Sequence, residues 1–203
     1  MPQTLLKCIT LCCLITLVCA CSTFQTPKPA EQLVTWSALE TQLTQLTNWQ
    51  FFGKIGFRSR EDAYTAAINK WQQRDSYFDI DLSSTFLGLG AVNISGTEKQ
   101  ITVHEAGEEP VQSDHPDYVI EQMLNFPLPV SYLSSWLVGL PATSSPFKHT
   151  QDKLGRSAMI EQAGWSISYK KYQDIDGLPL PGLIKIARED IRFSIAVKSW
   201  SLN

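Results

Sequence analysis

From Trp49 onward, apolar residues fall on every second position through much of the chain. Phe51, Ile55 and Phe57 share one parity, as do Phe78, Ile80 and Leu82. Val92 with Ile94, and Ile101 with Val103, read as a meander with a turn near Gly96-Thr97-Glu98. Near the C-terminus Trp165, Ile167 and Tyr169 alternate with polar residues, and so do Ile191, Phe193, Ile195 and Val197. A period of two with one dry face is the pattern of antiparallel strands covered on one side. Three stretches follow the helical period instead. Glu31 to Thr47 places Leu33, Trp36, Leu39, Leu43 and Leu46 on one face. Asp114 can cap a helix with Pro116 in its first turn, running to about Asn125 and stopping before Pro127. Pro129 opens a third, with Leu133, Trp136, Leu137 and Leu140 at i, i+3, i+4 and i+7 and an end at Gly139-Leu140-Pro141. The order is helix, strands, two helices, strands. It predicts a curved sheet with helices on its concave side.

The first thirty residues do not belong to that pattern. Lys7 precedes an apolar run from Cys8 to Ala20, broken only by Thr10 and Thr16 and too short for a spanning helix. It ends in Val18-Cys19-Ala20-Cys21, the layout of a lipobox, with cleavage before Cys21 and lipid on its thiol. The bland alternative is a signal peptide cut after Ala20 with Cys21 incidental. The expected divisions are a signal peptide at 1–20, a lipidated tether at 21–30 containing Pro27 and Pro29, and a single domain at 31–203. All five cysteines lie in the first 21 residues, so the mature chain keeps only Cys21 and cannot form an internal disulfide. Ser22 follows it, where an Asp is the usual signal for inner-membrane retention, so Ser favours the outer membrane.

Charge and candidate chemistry then narrow the function. The formal net charge is −3 and no basic stripe runs along the chain, which argues against a nucleic-acid partner. His104, His115 and His149 lack close metal-ligand spacing. There is no G-x-S-x-G elbow and no P-loop, and Gly88-Leu89-Gly90 is a lone G-x-G better assigned to a loop. Asp79 and Asp81 share a strand face. They could serve acid–base work, but a wet face opposite Phe78, Ile80 and Leu82 is the simpler reading. Neither an enzyme nor a cofactor or metal is expected. Six tryptophans remain, and they fit a large core and a cavity wall equally well.

Pro129-Val130-Ser131-Tyr132-Leu133-Ser134-Ser135-Trp136-Leu137-Val138-Gly139-Leu140-Pro141 resembles the P-[IV]-x-x-L-x-x-W-[IL]-x-G-L-P stretch of the LolB family of outer-membrane lipoprotein receptors. Trp71-Gln72-Gln73, Trp165 with Tyr169 and Tyr172, Leu178-Pro179 and Trp200 are similar to family positions in the same order. The resemblance covers nearly the whole mature chain. It implies a mainly β fold with α: an incomplete, half-open antiparallel β-barrel of about eleven strands, with a helical lid over a hydrophobic cavity. It also implies a monomer on the periplasmic face of the outer membrane, which accepts acylated lipoproteins from the soluble carrier LolA and passes them into membrane lipid without ATP at this step. A lipid- or acyl-binding envelope lipoprotein of similar fold with another client is the alternative.

The resemblance assigns the site residues as well. Trp71, Trp136 and Trp165 match family tryptophans and are candidates for the acyl-chain cavity, with Phe78, Ile80, Leu82, Leu133, Leu137 and Ile167. Thr85-Phe86-Leu87-Gly88 stands where the family has N-P-L-G, in a loop associated with membrane insertion. Leu87 is kept and Phe86 replaces Pro. The other reading of this apolar pair is a loop folded back into the core.

Overall fold

The computed structural model describes residues 31–83, 90–124 and 128–202. Cys21, the tether and the Phe86-Leu87 stretch lie outside the described residues.

Eleven strands form one antiparallel sheet. In chain order they are β1 (Asn48–Arg58), β2 (Ala63–Arg74), β3 (Tyr77–Ser83), β4 (Ala91–Thr97), β5 (Gln100–Glu105), β6 (Val111–Ser113), β7 (Phe147–Gln151), β8 (Ser157–Gln162), β9 (Trp165–Lys170), β12 (Leu183–Arg188) and β13 (Ile191–Leu202). A separate hairpin pairs β10 (Gln173–Ile175) with β11 (Leu178–Leu180). The spatial order is β6-β5-β4-β3-β2-β1-β13-β12-β9-β8-β7, so β6 and β7 are free edges and the barrel does not close. Closure of the chain onto itself happens at the middle, where the first strand pairs with the last from Trp49↔Leu202 to Arg58↔Arg192.

The register explains the curvature. β1 slips against β13 between Phe52 and Gly53, and against β2 between Phe51 and Gly53. Bulges of this kind bend a strand and increase its twist. Gly53 is required there, because a Cβ would overlap the Ala196 carbonyl oxygen. Phe51, Phe57, Phe193, Ile195, Ile184 and Ile167 are all buried on the concave side. Four rings form the centre of that core: Phe51 lies 4.9 Å from Trp200, 5.6 Å from Trp71 and 6.0 Å from Trp49.

Three helices cover the concave face: α1 (Trp36–Gln45), α2 (Pro116–Leu124) and α3 (Val130–Val138). Two boundaries differ from the expectation. Helix α1 starts at Trp36 and not near Glu31, which leaves Leu33 72% exposed. The preceding segment is held by a Val34 N–H bond to the Leu154 carbonyl in the β7–β8 turn, and that extended run cannot join the helix. Helix α2 begins at Pro116, so Asp114 is too early to cap it; Ser113 Oγ accepts the His115 N–H instead, at 3.1 Å. Helix α3 ends as the pattern predicts. Gly139 has φ 93°, and the Gly139 and Leu140 N–H groups bond back to Trp136 and Ser135. Those paired bonds make a Schellman ending, which favours glycine at the left-handed position.

Candidate functional site: an apolar cavity under two helices

Between the sheet and α2–α3 lies a cavity of about 90 Å³. Its sheet wall is Ile55, Trp71, Phe78, Ile80, Leu82, Val92, Ile94 and Phe193. Its roof is Ile120 and Met123 from α2 and Leu128, Val130 and Leu133 at the start of α3. Every lining side chain is hydrophobic. A second space of about 60 Å³ shares Trp71, Phe78, Ile80, Val130 and Leu133 and reaches the β2–β3 and β4–β5 turns, where Gln73, Asp75 and Glu98 form a polar rim.

Five of the nine residues expected at the cavity line it: Trp71, Phe78, Ile80, Leu82 and Leu133. Trp136, Leu137, Trp165 and Ile167 are buried but absent from its wall. The helical period brings Leu133 to the cavity, while Trp136 reaches Gln162 on β8 and Leu137 is fully buried. Trp165 packs 6.5 Å from Phe193, on the far side of that cavity residue, with the Arg188 guanidinium 5.8 Å over its ring.

The two ends of the roof are held very differently. At the C-terminal end of α3, Gln162 Oε1 accepts the Trp136 indole N–H at 2.8 Å and the Ala142 N–H at 2.9 Å. Gln162 Nε2 donates to the carbonyls of Ala142 at 2.6 Å and Ser145 at 3.0 Å. Beside it, Ser157 Oγ donates to the Gly139 carbonyl at 2.5 Å, and Tyr172 OH donates to the Ser157 carbonyl at 2.8 Å. At the other end a Val130 N–H bonds to Asp117 Oδ1 at 3.0 Å, and the Tyr132 hydroxyl meets the Ser144 and Ser145 hydroxyls. From α2, Ile120 and Met123 meet the sheet through apolar contact. Gln162 and Ser157 had no motif to reveal them; a polar residue at a concave-face strand position was the only available signal.

His149 is joined to the same cluster. Its Nε2 lies 2.9 Å from Ser157 Oγ, and its ring centroid lies 4.0 Å from that of Trp36, at the start of α1, with the planes tilted by 44°. Ser157 already donates to Gly139, so His149 must donate through Nε2–H. Burial pushes the imidazole pKa below its ordinary 6.5, against a smaller opposing pull from Glu40. The unfolded ring then takes its proton near pH 6.5 and the folded ring only at lower pH. This contribution to stability is complete above that value and declines as pH falls toward the folded pKa. Thermal melts of wild type between pH 8 and pH 5 should show this loss on acidification, and His149→Gln should flatten it. An unchanged slope in the variant would assign the loss to other groups.

On the convex face, Asp79 and Asp81 are both held by Lys70 and Asn93. Lys70 Nζ lies 2.7 Å from Asp79 and 3.0 Å from Asp81, and the Asn93 amide donates to both. Burial would raise the Asp81 pKa, but Asn93 and Lys70 outweigh it and hold the carboxyl below its usual range. Among the described residues no three His, Cys, Asp or Glu side chains could hold a metal ion. No described helix is long and apolar enough to cross a membrane.

Comparison with known proteins bears on this geometry. The family described as "Outer membrane lipoprotein LolB" matches residues 47–200. An outer-membrane lipoprotein LolB of Pseudomonas paraeruginosa is 37% identical over 166 residues, 82% of this chain and 80% of that one. Another from Stutzerimonas stutzeri is 32% identical over 201 residues, 98% of this chain and 97% of that one. Among solved structures, a DUF1329 family protein from Desulfovibrio piger superposes with a TM-score of 0.55 at 7% identity, covering 83% of this chain and 92% of that one. That likeness concerns the fold alone.

Proposed function

The chain belongs to the LolB family of outer-membrane lipoproteins, and from that premise we propose that it receives acylated lipoproteins from the carrier LolA and delivers them to the outer membrane. Membership places it in outer-membrane lipoprotein localisation, itself an outer-membrane lipoprotein on the periplasmic side. The receptor step, its independence of ATP and a monomeric state are our reading.

The observation that carries it is the wholly apolar cavity under a roof fixed at one end. At about 90 Å³ the closed cavity is too small for an acyl chain. An engineered apolar cavity of roughly 150 Å³ holds a ligand the size of benzene or xenon. Uptake therefore requires α2 and the start of α3 to lift, and the Gln162 clamp supplies a fixed end about which they can do so. The energetics allow it. Burying one long acyl chain is worth about 0.8 kcal/mol per CH₂, on the order of 10 kcal/mol in all. Exposing the five roof side chains would cost about 1.5–3 kcal/mol each, a cost that falls where the client's chain replaces the sheet as their partner. Differences in affinity along carrier, receptor and bilayer suffice for net movement.

Cys21 is the proposed lipid attachment. Val34 joins the domain at the β7–β8 turn. From Cys21 to Val34 the chain reaches up to about 40 Å when extended, roughly the length of the longest strands. Anchoring through the tether thus leaves either end of the sheet free to approach the membrane. Ser83 and Ala91, which flank the segment carrying Phe86 and Leu87 in the sequence, pair at the same end of the sheet as the cavity residues Leu82 and Val92. We assign this loop to delivery.

Carrier loaded with acylated client, this receptor and liposomes test the reading together. Client should pass to the receptor and then into liposomes without nucleotide. Leu87→Glu should leave uptake and folding near wild type and slow release, because a charge opposes entry of the tip into the bilayer. Absence of any uptake from the carrier, with binding of free lipid retained, would assign the cavity to another client. Wild-type rates for both steps in Leu87→Glu would remove the loop from delivery.

A further inference from the structure

The convex face of the sheet gathers cations that are scattered along the chain. The five adjacent strands β2, β1, β13, β12 and β9 contain nine Lys or Arg residues and no Asp or Glu. This occurs in a protein whose formal net charge is −3. Alternation with the buried concave residues directs Lys54, Arg58, Lys170, Lys185, Arg192 and Lys198 outward, and all six are exposed. Their strands are neighbours, with Lys54 opposite Ala196, Ala196 opposite Leu183 and Leu183 opposite Lys170. Arg58 and Arg192 sit opposite one another at the end of the sheet where β3 leads toward β4. Lys54, Arg58, Lys170 and Lys185 form no ion pair with a carboxylate among the described residues. On the same face, Phe52 is 39% exposed.

We propose that this convex face is a docking surface for an anionic phospholipid bilayer, lying against the phosphates with Phe52 at the interface. The proposal goes beyond the receptor reading and is independent of what the cavity carries. Three features favour a lipid surface over an acidic protein. The charge is spread over a patch roughly 15 Å by 20 Å, from the strand spacing and rise, and does not converge on one point; the recess at its edge, lined by Arg192, Arg188 and Lys148, also holds Glu161 and Glu189. Four of the six cations are lysines, point charges on flexible stems, which suit a fluid array of phosphates better than fixed carboxylates. An exposed aromatic among basic residues is the combination that interfacial surfaces use.

Such contact depends on anionic lipid and on salt. The full mature protein is reconstituted in vesicles of phosphatidylcholine alone, or with about one third phosphatidylglycerol, and its lysines are modified with an amine-reactive reagent and read by mass spectrometry. Lys54, Lys170, Lys185 and Lys198 should react about threefold or more slowly in the anionic vesicles, while the exposed turn residues Lys99 and Lys153 do not change. About 0.5 M salt should erase the difference. The double variant Lys54→Glu with Lys185→Glu, at exposed sites that do not enter the core, should melt as wild type and lose the protection of Lys170 and Lys198. Equal labelling in both vesicles overturns the proposal. Protection by a polyglutamate peptide but by neither vesicle also overturns it, and gives the face to an acidic protein.

Discussion

Replacing Gln162 by leucine should destabilise the protein by about 4 kcal/mol, through the partners left behind and not through lost volume. The Gln162 side chain is 2% exposed and makes four hydrogen bonds. Two N–H donors converge on one end of the amide and two carbonyls on the other, so only one orientation satisfies them. Leucine fits the space and leaves the Trp136 indole N–H, the Ala142 N–H and the Ala142 and Ser145 carbonyls without this partner. Each buried, unpaired group costs about 1–3 kcal/mol, and the four share one relaxation, so the sum stays below their total. For a domain of this size the midpoint should fall by about 10 °C. Trp136→Phe removes a single bond and should cost about 1 kcal/mol beyond its change in packing. Urea unfolding of both variants checks the ratio. If Gln162→Leu costs no more than Trp136→Phe, water replaces the amide and the end of α3 is not clamped by it.

That clamp marks where the sequence stops being legible. Period-two runs disclosed six of the thirteen strands, β1, β3, β4, β5, β9 and β13, where one face is dry, and the helical period with Gly139 disclosed α3 to its last residue. Short elements such as β10 and β11 hold three residues each, too few for a period. The cavity was legible only as far as a dry face goes. Periodicity says that Leu133, Trp136 and Leu137 are buried, not against what. Leu133 lines the cavity, Trp136 meets Gln162 on β8, and Leu137 is buried away from the cavity wall. Trp165 and Ile167 alternate just as Phe78 and Ile80 do, yet β9 lies across β12 and β13 from β1, beyond the cavity. The basic face was invisible for a related reason. Each central strand supplies one or two cations, and only the pairing of first strand with last brings them together.

Filling the cavity should separate client uptake from stability. Ile94 lines the sheet wall from β4 and is half-buried. Phenylalanine there extends into the existing space of about 90 Å³. Where a void is available, added bulk need not push neighbours off their rotamers, and the change in stability should stay within about 1 kcal/mol. Uptake is different, because the new ring occupies the volume that the client's chain must enter and keeps doing so when the roof lifts. Transfer from the carrier should fall about tenfold, equal to about 1.4 kcal/mol of lost affinity. Ile167→Val supplies the opposite case. Ile167 is fully buried and away from the cavity wall, so the variant should lose about 0.5–1.5 kcal/mol of stability and leave uptake unchanged. Thermal melts and carrier-to-receptor transfer on the same preparations give both quantities. If Ile94→Phe takes up client at the wild-type rate while remaining folded, acyl chains enter elsewhere and this cavity is only a packing defect. If Ile167→Val impairs uptake as strongly as Ile94→Phe, the binding space extends under β9 when the roof opens, and the site is larger than its closed form.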